Sequence, residues 1–221
     1  LIYYTGGTTG ASKGVMMTHA QVLQTAQLLA AALQAGQALT AQSVYVHAAP
    51  MFHMADGAMC FTTAVVACAN SFMVRFDVSA FIAHAHRHGV SFATLVPTMI
   101  KTLCDHLRAQ QLTLPGLHAI LYGGAPMPRP TLDLAMATLP GVRLFQGYGS
   151  TEALIISTLD PEFHTLGESH RSVLRSAGRP LNGVLLRIAD PEGRELPRGV
   201  VGEICVRSNS VMKGYWRQPE L

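Results

Sequence analysis

Hydrophobic and polar residues alternate in two different patterns along most of the chain. Short apolar segments, typical of buried strands, are separated by longer segments in which apolar residues recur at the spacing of an amphipathic helix. Strands are predicted at residues 44–48, 71–76, 90–96, 117–122 and 142–145. Helices are predicted at residues 18–33, 58–67, 77–88, 98–109 and 131–138. This alternation predicts an α/β fold with a largely parallel sheet and flanking helices.

The pattern changes after about residue 170. Two strand-like segments, residues 184–190 and 200–207, surround a turn, and no long helix is predicted there. We therefore expect residues 1–170 to form an α/β nucleotide- and acyl-binding part. Residues 171–221 would begin a small β-barrel-like subdomain that is incomplete. Because the chain opens inside a predicted strand, we interpret it as part of a longer protein.

A glycine- and threonine-rich loop near the start carries the strongest chemical signal. Residues 4–14 read Tyr-Thr-Gly-Gly-Thr-Thr-Gly-Ala-Ser-Lys-Gly. Glycines let the backbone approach a ligand closely, and successive exposed N–H groups form a nest for an anion. The loop differs from a Walker A motif, in which Ser or Thr follows the lysine. A flanking buried strand at residues 1–4 and a helix capped by Thr18 would make this a phosphate site; the alternative is a flexible turn.

Three further segments follow predicted strands of the sheet. They are residues 50–53, 123–126 and 148–152. Ligands of open parallel sheets bind outside the carboxyl ends of the strands, and these segments lie at such ends. The pattern of the chain therefore predicts a binding crevice at this edge.

These segments together resemble the motifs of the adenylate-forming superfamily, which includes acyl-CoA synthetases, luciferases and peptide-synthetase adenylation domains. The loop resembles Y-T-S-G-T-T-G-x-P-K-G, with Gly6 in place of the serine and Ser12 in place of the proline. The glycine form resembles the variant of fatty-acyl-CoA ligases. Residues 50–57 resemble P-L-F-H-x-x-G, residues 122–127 resemble S-G-G-A-P-L, and residues 146–152 resemble Q-x-Y-G-x-T-E. Residues 178–180, 202–207 and 211–216 match later segments in order, so the resemblance spans the whole chain.

The resemblance implies roles for individual residues. Lys13 would follow the β- and γ-phosphates of ATP, Glu152 would bind Mg²⁺ beside Thr151, and His53 would line the acyl pocket near the thiol channel. These four are the candidate catalytic residues, and Glu152 is the candidate metal ligand. The candidate nucleotide-binding residues are Thr5, Gly6, Gly7, Thr8, Thr9, Gly10, Gly123, Gly124, Ala125, Gln146, Gly147, Tyr148 and Gly149.

Each role has a structural alternative. Lys13 could be an ordinary exposed lysine, and Glu152 a carboxylate at a helix N-terminus. Tyr148, which would stack on adenine between two glycines, could be a buried core residue. His53 could be a histidine at the edge of the core that is hydrogen-bonded to backbone. Gly123 and Gly124, which would leave room for a planar base, could serve a tight turn.

The amino-acid composition limits the kinds of partner and site that we expect for this chain. Charged residues make up 13% of the chain and the net charge is +3, with no basic run, so nucleic acid is not an expected partner. Four cysteines show no metal or disulfide spacing, which predicts a reduced, cytoplasmic protein. The apolar stretch at residues 58–74 is too short to span a bilayer. His84 and His88 share a helix face, but without a nearby carboxylate they do not predict a metal site.

The sequence thus predicts an AMP-forming acyl-CoA synthetase that activates a carboxylic acid, expected to be a fatty acid, with ATP and Mg²⁺ and then transfers the acyl group to CoA. Two alternatives stay open: an adenylation domain that loads a carrier-protein thiol, and a non-catalytic nucleotide-binding module. Residues 1–221 alone are expected to be inactive. The oligomeric state is left open.

Overall fold

A computed structural model describes residues 1–6, 11–165 and 168–220. The strands are β1 (Ile2–Thr5), β2 (Lys13–Met16), β3 (Val44–His47), β4 (Ala69–Phe72), β5 (Phe92–Leu95), β6 (Ala119–Gly123), β7 (Arg143–Ser150), β8 (Leu154–Leu159), β9 (Arg179–Pro180), β10 (Leu185–Ala189), β11 (Glu203–Arg207) and β12 (Gly214–Tyr215). The α-helices are α1 (His19–Ala35), α2 (Met54–Val66), α3 (Val78–His88), α4 (Pro97–Ala109) and α5 (Arg129–Thr138). Two 3₁₀ helices cover Pro161–His164 and Glu168–Arg175.

A seven-stranded sheet organises the molecule. Its strand order is β4-β3-β5-β6-β7-β8-β9, and the first five strands are parallel. β8 and β9 continue the sheet in antiparallel pairing. The predicted α/β class, with a largely parallel sheet and flanking helices, is confirmed.

Both faces of this sheet are covered by helices, as the near-continuous apolar strands require. Neighbouring residues on a strand point to opposite faces. On β3, Tyr45 joins the core beneath α1 and α2 together with Leu33 and Phe92. Val46, the next residue, joins the core formed with α3, α4 and α5, which includes Ile120. The sheet is thereby fixed between two apolar layers.

Local signals placed the helix ends well. Thr18 caps α1 in the predicted capping box with Gln21. Asp77 caps α3 by accepting a hydrogen bond from the backbone N–H of Ala80, and Gly89 ends that helix with a positive φ of 62°. α2 begins at residue 54, four positions before the predicted start at residue 58, so the candidate His53 lies at its N-cap.

The setting of the glycine-rich loop differs from the prediction. The loop joins β1 to β2, which pair in an antiparallel hairpin, and α1 begins only after β2, so α1 does not directly follow the loop as predicted. β1 is also not a buried strand, because Tyr4 is 63% exposed. The second strand, β2, has only four residues and begins with a lysine and a glycine, so it gave little hydrophobic signal.

The strand predicted at residues 142–145 was too short. β7 continues through residue 150 and turns into β8, which the sequence analysis missed. The candidate residues Gln146, Gly147, Tyr148 and Gly149 therefore lie within a strand and not in a loop after it. The reason is tertiary, since pairing with β8 supports a glycine-rich segment of weak strand propensity.

The C-terminal part contains the two predicted strands, β10 and β11, which pair antiparallel. Two other strands connect this part to the rest: β9 pairs with β8, and β12 pairs with β2 in a three-stranded sheet. The proposed boundary between residues 170 and 171 stays a prediction. No helix in the described part of the chain is long and apolar enough to cross a membrane.

Candidate active site

The β1–β2 hairpin presents Lys13 at the first position of β2. Lys13 pairs in register with Thr5 at the end of β1, and both residues are half-buried, while Gly6 is exposed. The other candidate loop residues, Gly7, Thr8, Thr9 and Gly10, lie outside the described residues. The Nζ atom of Lys13 lies 5.1 Å from the centroid of the Tyr215 ring, so its position is set by a cation–π contact.

A segment near the end of the chain fastens this hairpin to the sheet. The backbone N–H of Trp216 donates to the carbonyl of Gly14 at 2.7 Å, and that of Lys213 donates to Met16 at 2.9 Å. The N–H of Met212 donates to the carbonyl of Glu152 at 2.7 Å. Residues 212–216 therefore link the β1–β2 hairpin to the β7–β8 turn.

Glu152 lies in that β7–β8 turn beside Thr151, and both residues are half-buried. The alternative that Glu152 sits at a helix N-terminus is therefore wrong, because a strand follows it. Its Oε1 atom accepts a hydrogen bond from the hydroxyl of Tyr215 at 2.8 Å. Burial, followed by the bond to Glu152, raises the pKa of Tyr215, so the hydroxyl remains a donor at neutral pH.

Tyr215 is the residue that the sequence analysis missed. It contacts both charged candidates, Lys13 through its ring and Glu152 through its hydroxyl. The sequence pointed to Tyr215 only through its position in residues 211–216, which resemble a motif of the adenylate-forming superfamily. Nothing in that segment indicated a partner 63 residues away.

Tyr148 lies on β7 next to a bulge between residues 148 and 149, and its side chain is 36% exposed. The glycines on either side of Tyr148 have a packing role. A Cβ on Gly149 would overlap the carbonyl of Leu154, and one on Gly147 would lie 3.1 Å from Ile155. These glycines permit close packing of β7 against β8.

Gly123 at the end of β6 lies beside Gly147 of β7 in register. A Cβ on Gly123 would overlap the carbonyl of Gly147, and Gly124 has a φ of +75°. Both glycines are therefore needed for strand packing and for the turn, as the structural alternative predicted. Gly124 and Ala125 are exposed beyond the strand end, where a planar ligand could still lie.

A buried pair lies beneath this edge. The hydroxyl of Tyr122 is 2.8 Å from Nε2 of His164, and Oε1 of Gln146 lies 3.4 Å from the same hydroxyl oxygen. Nδ1 of His164 lies 3.1 Å from the carbonyl of Asp160, so it carries the proton and Nε2 accepts from Tyr122. Burial lowers the pKa of His164, which keeps the ring neutral. Gln146 is thereby connected to a neutral, buried hydrogen-bond network.

His53 is exposed at the N-cap of α2, and its side chain makes no capping hydrogen bond. Its ring lies 4.6 Å from the ring of Phe52, which is 70% exposed. The alternative of a core-edge histidine does not hold for an exposed side chain. His53, Phe52 and Met51 instead form an open, largely apolar surface at the end of β3.

Asp56, three residues further on, is fully buried. Its carboxylate accepts a hydrogen bond from the Tyr45 hydroxyl, and its Oδ2 lies 3.1 Å from Nδ1 of His47. Nε2 of His47 lies 2.9 Å from Oδ1 of Asn70. The charge of Asp56 is thus used inside the protein and is not presented to a ligand.

No group of three or more metal-ligating side chains occurs within residues 1–6, 11–165 and 168–220. The rings of His84 and His88 contact each other with centroids 4.4 Å apart and planes tilted by 46°. A hydrogen bond joins Nε2 of His84 to the Ser71 hydroxyl. The two rings have local partners that explain their placement.

Comparison with known proteins places this site in a family. The family described as AMP-binding enzyme matches residues 1–216. The chain belongs to the AMP-binding enzymes. Rice 4-coumarate–CoA ligase 1 is 34% identical over 98% of this chain and 38% of its own length. Feruloyl-CoA synthase of an Amycolatopsis species is 34% identical over 100% of this chain and 43% of its own length.

Solved structures of the AMP-binding enzymes agree with the fold. O-succinylbenzoate CoA synthetase of Bacillus subtilis, in complex with AMP, superposes with a TM-score of 0.81 at 32% identity over 98% of this chain and 42% of that chain. The amide bond synthetase McbA of Marinactinospora thermotolerans superposes with a TM-score of 0.85 at 30% identity over 99% of this chain and 42% of that chain. The chain spans about two fifths of the length of these relatives.

Proposed function

We propose that the protein containing this chain is an AMP-forming acid–thiol ligase. A carboxylate attacks the α-phosphate of ATP to give acyl-AMP and pyrophosphate, and the thiol of CoA then displaces AMP. The observation that carries the proposal is the convergence of Lys13 and Glu152 on Tyr215. Two residues of opposite charge that lie far apart in sequence are held at one place, next to the strand edge that bears Tyr148.

In this proposal the chain mainly positions reactants and balances charge. Lys13 meets the negative β- and γ-phosphates, which a lysine follows as a point charge on a flexible stem. The loop N–H groups of residues 5–10 add donors, and Tyr148 with Gly123 and Gly124 receives the adenine. His53 lies at the entrance to the acyl site.

The donor set fits a magnesium ion at Glu152. Tyr215 engages only Oε1 of this carboxylate, and the Thr151 hydroxyl is adjacent in the same turn. Hard carboxylate and hydroxyl oxygens are the ligands that Mg²⁺ prefers. Bound with ATP, Mg²⁺ would supply neutralisation of the charge that accumulates on pyrophosphate.

The acid is proposed to be apolar, either an arylpropenoic acid like those named for the plant and Amycolatopsis relatives or a fatty acid. Met51 and Phe52 expose apolar surface beside His53. Asp56, the acidic residue of this segment, is fully buried and hydrogen-bonded. An α-ammonium group would therefore find no carboxylate partner here, which disfavours amino acids.

An amine is a second candidate acceptor of the acyl group, besides the thiol of CoA. The similarity to an amide bond synthetase supports an amine as the group that displaces AMP. A carrier-protein thiol is the third acceptor, and in each case the adenylation step is the same.

A cytoplasmic location is proposed from the cysteine pattern. Because relatives are more than twice as long, residues 1–221 alone are proposed not to turn over.

The deciding experiment is ATP–pyrophosphate exchange by the full-length protein with coumaric, ferulic, fatty and amino acids, followed by product analysis with CoA, amines and a carrier protein. We expect exchange with apolar acids and acyl-CoA as the product. Glu152→Gln should lower the exchange rate by about 10²–10³, with a smaller change in ATP affinity. Absence of exchange with every acid, together with ATP binding, would indicate a non-catalytic nucleotide-binding module.

A further inference from the structure

Tyr215 is the residue through which the two charged groups of the site meet. Building on the proposed function, we propose that Tyr215 is a positioning residue for adenylation. Its hydroxyl orients the Glu152 carboxylate toward the cation that accompanies ATP, and its ring orients Lys13 toward the phosphates. The two effects reside in different parts of one side chain and can be separated by substitution.

The hydroxyl acts on one oxygen of the carboxylate. It donates to Oε1 of Glu152 at 2.8 Å, which is good geometry for a hydrogen bond to a charged acceptor. With Oε1 held, the carboxylate has one preferred rotation and Oε2 is left to meet a cation. Without the hydroxyl, Glu152 would have to be ordered by the cation itself, and the apparent cation affinity would fall.

The ring acts on the lysine. Nζ of Lys13 lies 5.1 Å from the ring centroid, within the range at which an aromatic face attracts an ammonium group. This contact limits a flexible side chain without consuming its charge. Lys13 is therefore held near the loop while remaining able to donate hydrogen bonds to an anion.

Tyr215 is itself firmly placed. It pairs with Val15 in the β2–β12 ladder, and the neighbouring Trp216 N–H donates to Gly14. Its side chain packs on the cluster that contains Val15 and Leu154. The N–H of Met212 also donates to the Glu152 carbonyl, so the hydroxyl and its acceptor are held by the same segment.

Two substitutions separate the effects. Tyr215→Phe keeps the ring and removes the hydroxyl, so it should raise the Kd of the Mn²⁺–ATP complex and the Mg²⁺ concentration at half-maximal exchange by roughly threefold to tenfold. The Kd of ATP without metal should stay unchanged. Tyr215→Leu removes both contacts and should weaken metal-free ATP binding as well.

The test uses the full-length protein, calorimetric titration with ATP and with Mn²⁺–ATP, and ATP–pyrophosphate exchange across a Mg²⁺ series. Excess Mg²⁺ should restore the rate of Tyr215→Phe, which a merely destabilised protein would not show. Asp105→Ala is the control, because Asp105 is an exposed carboxylate on α4 that pairs with Lys101 outside the site and should change neither value. In a Glu152→Gln background, Tyr215→Phe should change the Mn²⁺–ATP Kd less than about twofold, because the hydroxyl acts through that carboxylate.

An unchanged Kd for Mn²⁺–ATP in Tyr215→Phe would overturn the inference, and so would an equal effect in the presence and absence of Glu152. The proposed function fails separately, if the wild-type protein gives no exchange with any acid. In that case the titrations still decide the role of Tyr215 in metal–nucleotide binding.

Discussion

The buried carboxylate of Asp56 offers a sharp test of the structure, because its side chain is fully buried and its two partners are buried as well. It accepts a hydrogen bond from Tyr45 and lies 3.1 Å from the His47 ring nitrogen. Asp56→Ala would leave a hydroxyl and an imidazole in the core without their partner. Breaking one side of a buried pair costs about 3–5 kcal/mol of the free energy of unfolding.

The replacement Asp56→Asn should be milder. The amide oxygen can accept from Tyr45, and the amide nitrogen can donate to Nδ1 of a neutral His47. Nε2 of that ring then carries the proton and donates to Asn70, whose Oδ1 lies 2.9 Å away. All four groups keep a partner, so we expect a loss of only about 1–2 kcal/mol.

The assay is denaturant unfolding of the full-length protein, with amide hydrogen exchange of β3 as the local readout. Asp105→Ala is the matched control, because Asp105 pairs with Lys101 while 53% exposed and should contribute less than about 1 kcal/mol. The reasoning would be refuted if Asp56→Ala lost no more stability than Asp105→Ala, or if Asp56→Asn lost as much as Asp56→Ala.

Two further predictions concern the stability of the fold at His164 and at Gly149. Burial lowers the pKa of His164 from its ordinary value of 6.5. As the pH falls, the unfolded chain therefore binds this proton more readily than the folded protein does, and His164 lowers the free energy of unfolding below about pH 6.5. His164→Gln, which keeps an acceptor for Tyr122, should lose less stability than wild type between about pH 7 and pH 5 in unfolding titrations; an identical pH dependence would contradict this. Gly149→Ala should destabilise by about 1–3 kcal/mol because its Cβ would overlap the Leu154 carbonyl, whereas Gly116→Ala, which has room, should be near neutral in the same assay.

The elements that the sequence predicted well are those whose ends are marked by capping or helix-terminating residues. Thr18 and Asp77 begin helices through side-chain caps, and Gly89 ends one through its positive φ. Such signals depend on a few neighbouring residues, so they can be interpreted without knowing the fold. The parallel strands β3, β5 and β6 were equally clear, because they are buried on both faces and almost continuously apolar.

The elements that were missed depend on partners distant in sequence. The second half of β7 contains two glycines, and it is a strand because β8 pairs with it. β2 is a strand because it lies between β1 and β12. The bond from Tyr215 to Glu152 spans 63 residues and carries no local signal at either end. The motif segments therefore predicted candidate residues, while the contacts that position these residues came only from the fold.

The three-stranded sheet explains how a segment near residue 215 reaches the proposed phosphate loop near residue 13. A two-stranded hairpin is at best marginally stable alone, and β1 buries little of its own surface. β12 supplies the third strand, and Val15, Leu154 and Tyr215 supply a shared apolar contact. The same pairing that stabilises the hairpin also delivers the Tyr215 hydroxyl to Glu152. Placement of the loop and orientation of the carboxylate are thus two consequences of one strand pairing, and a change that breaks β2–β12 pairing should disturb both together.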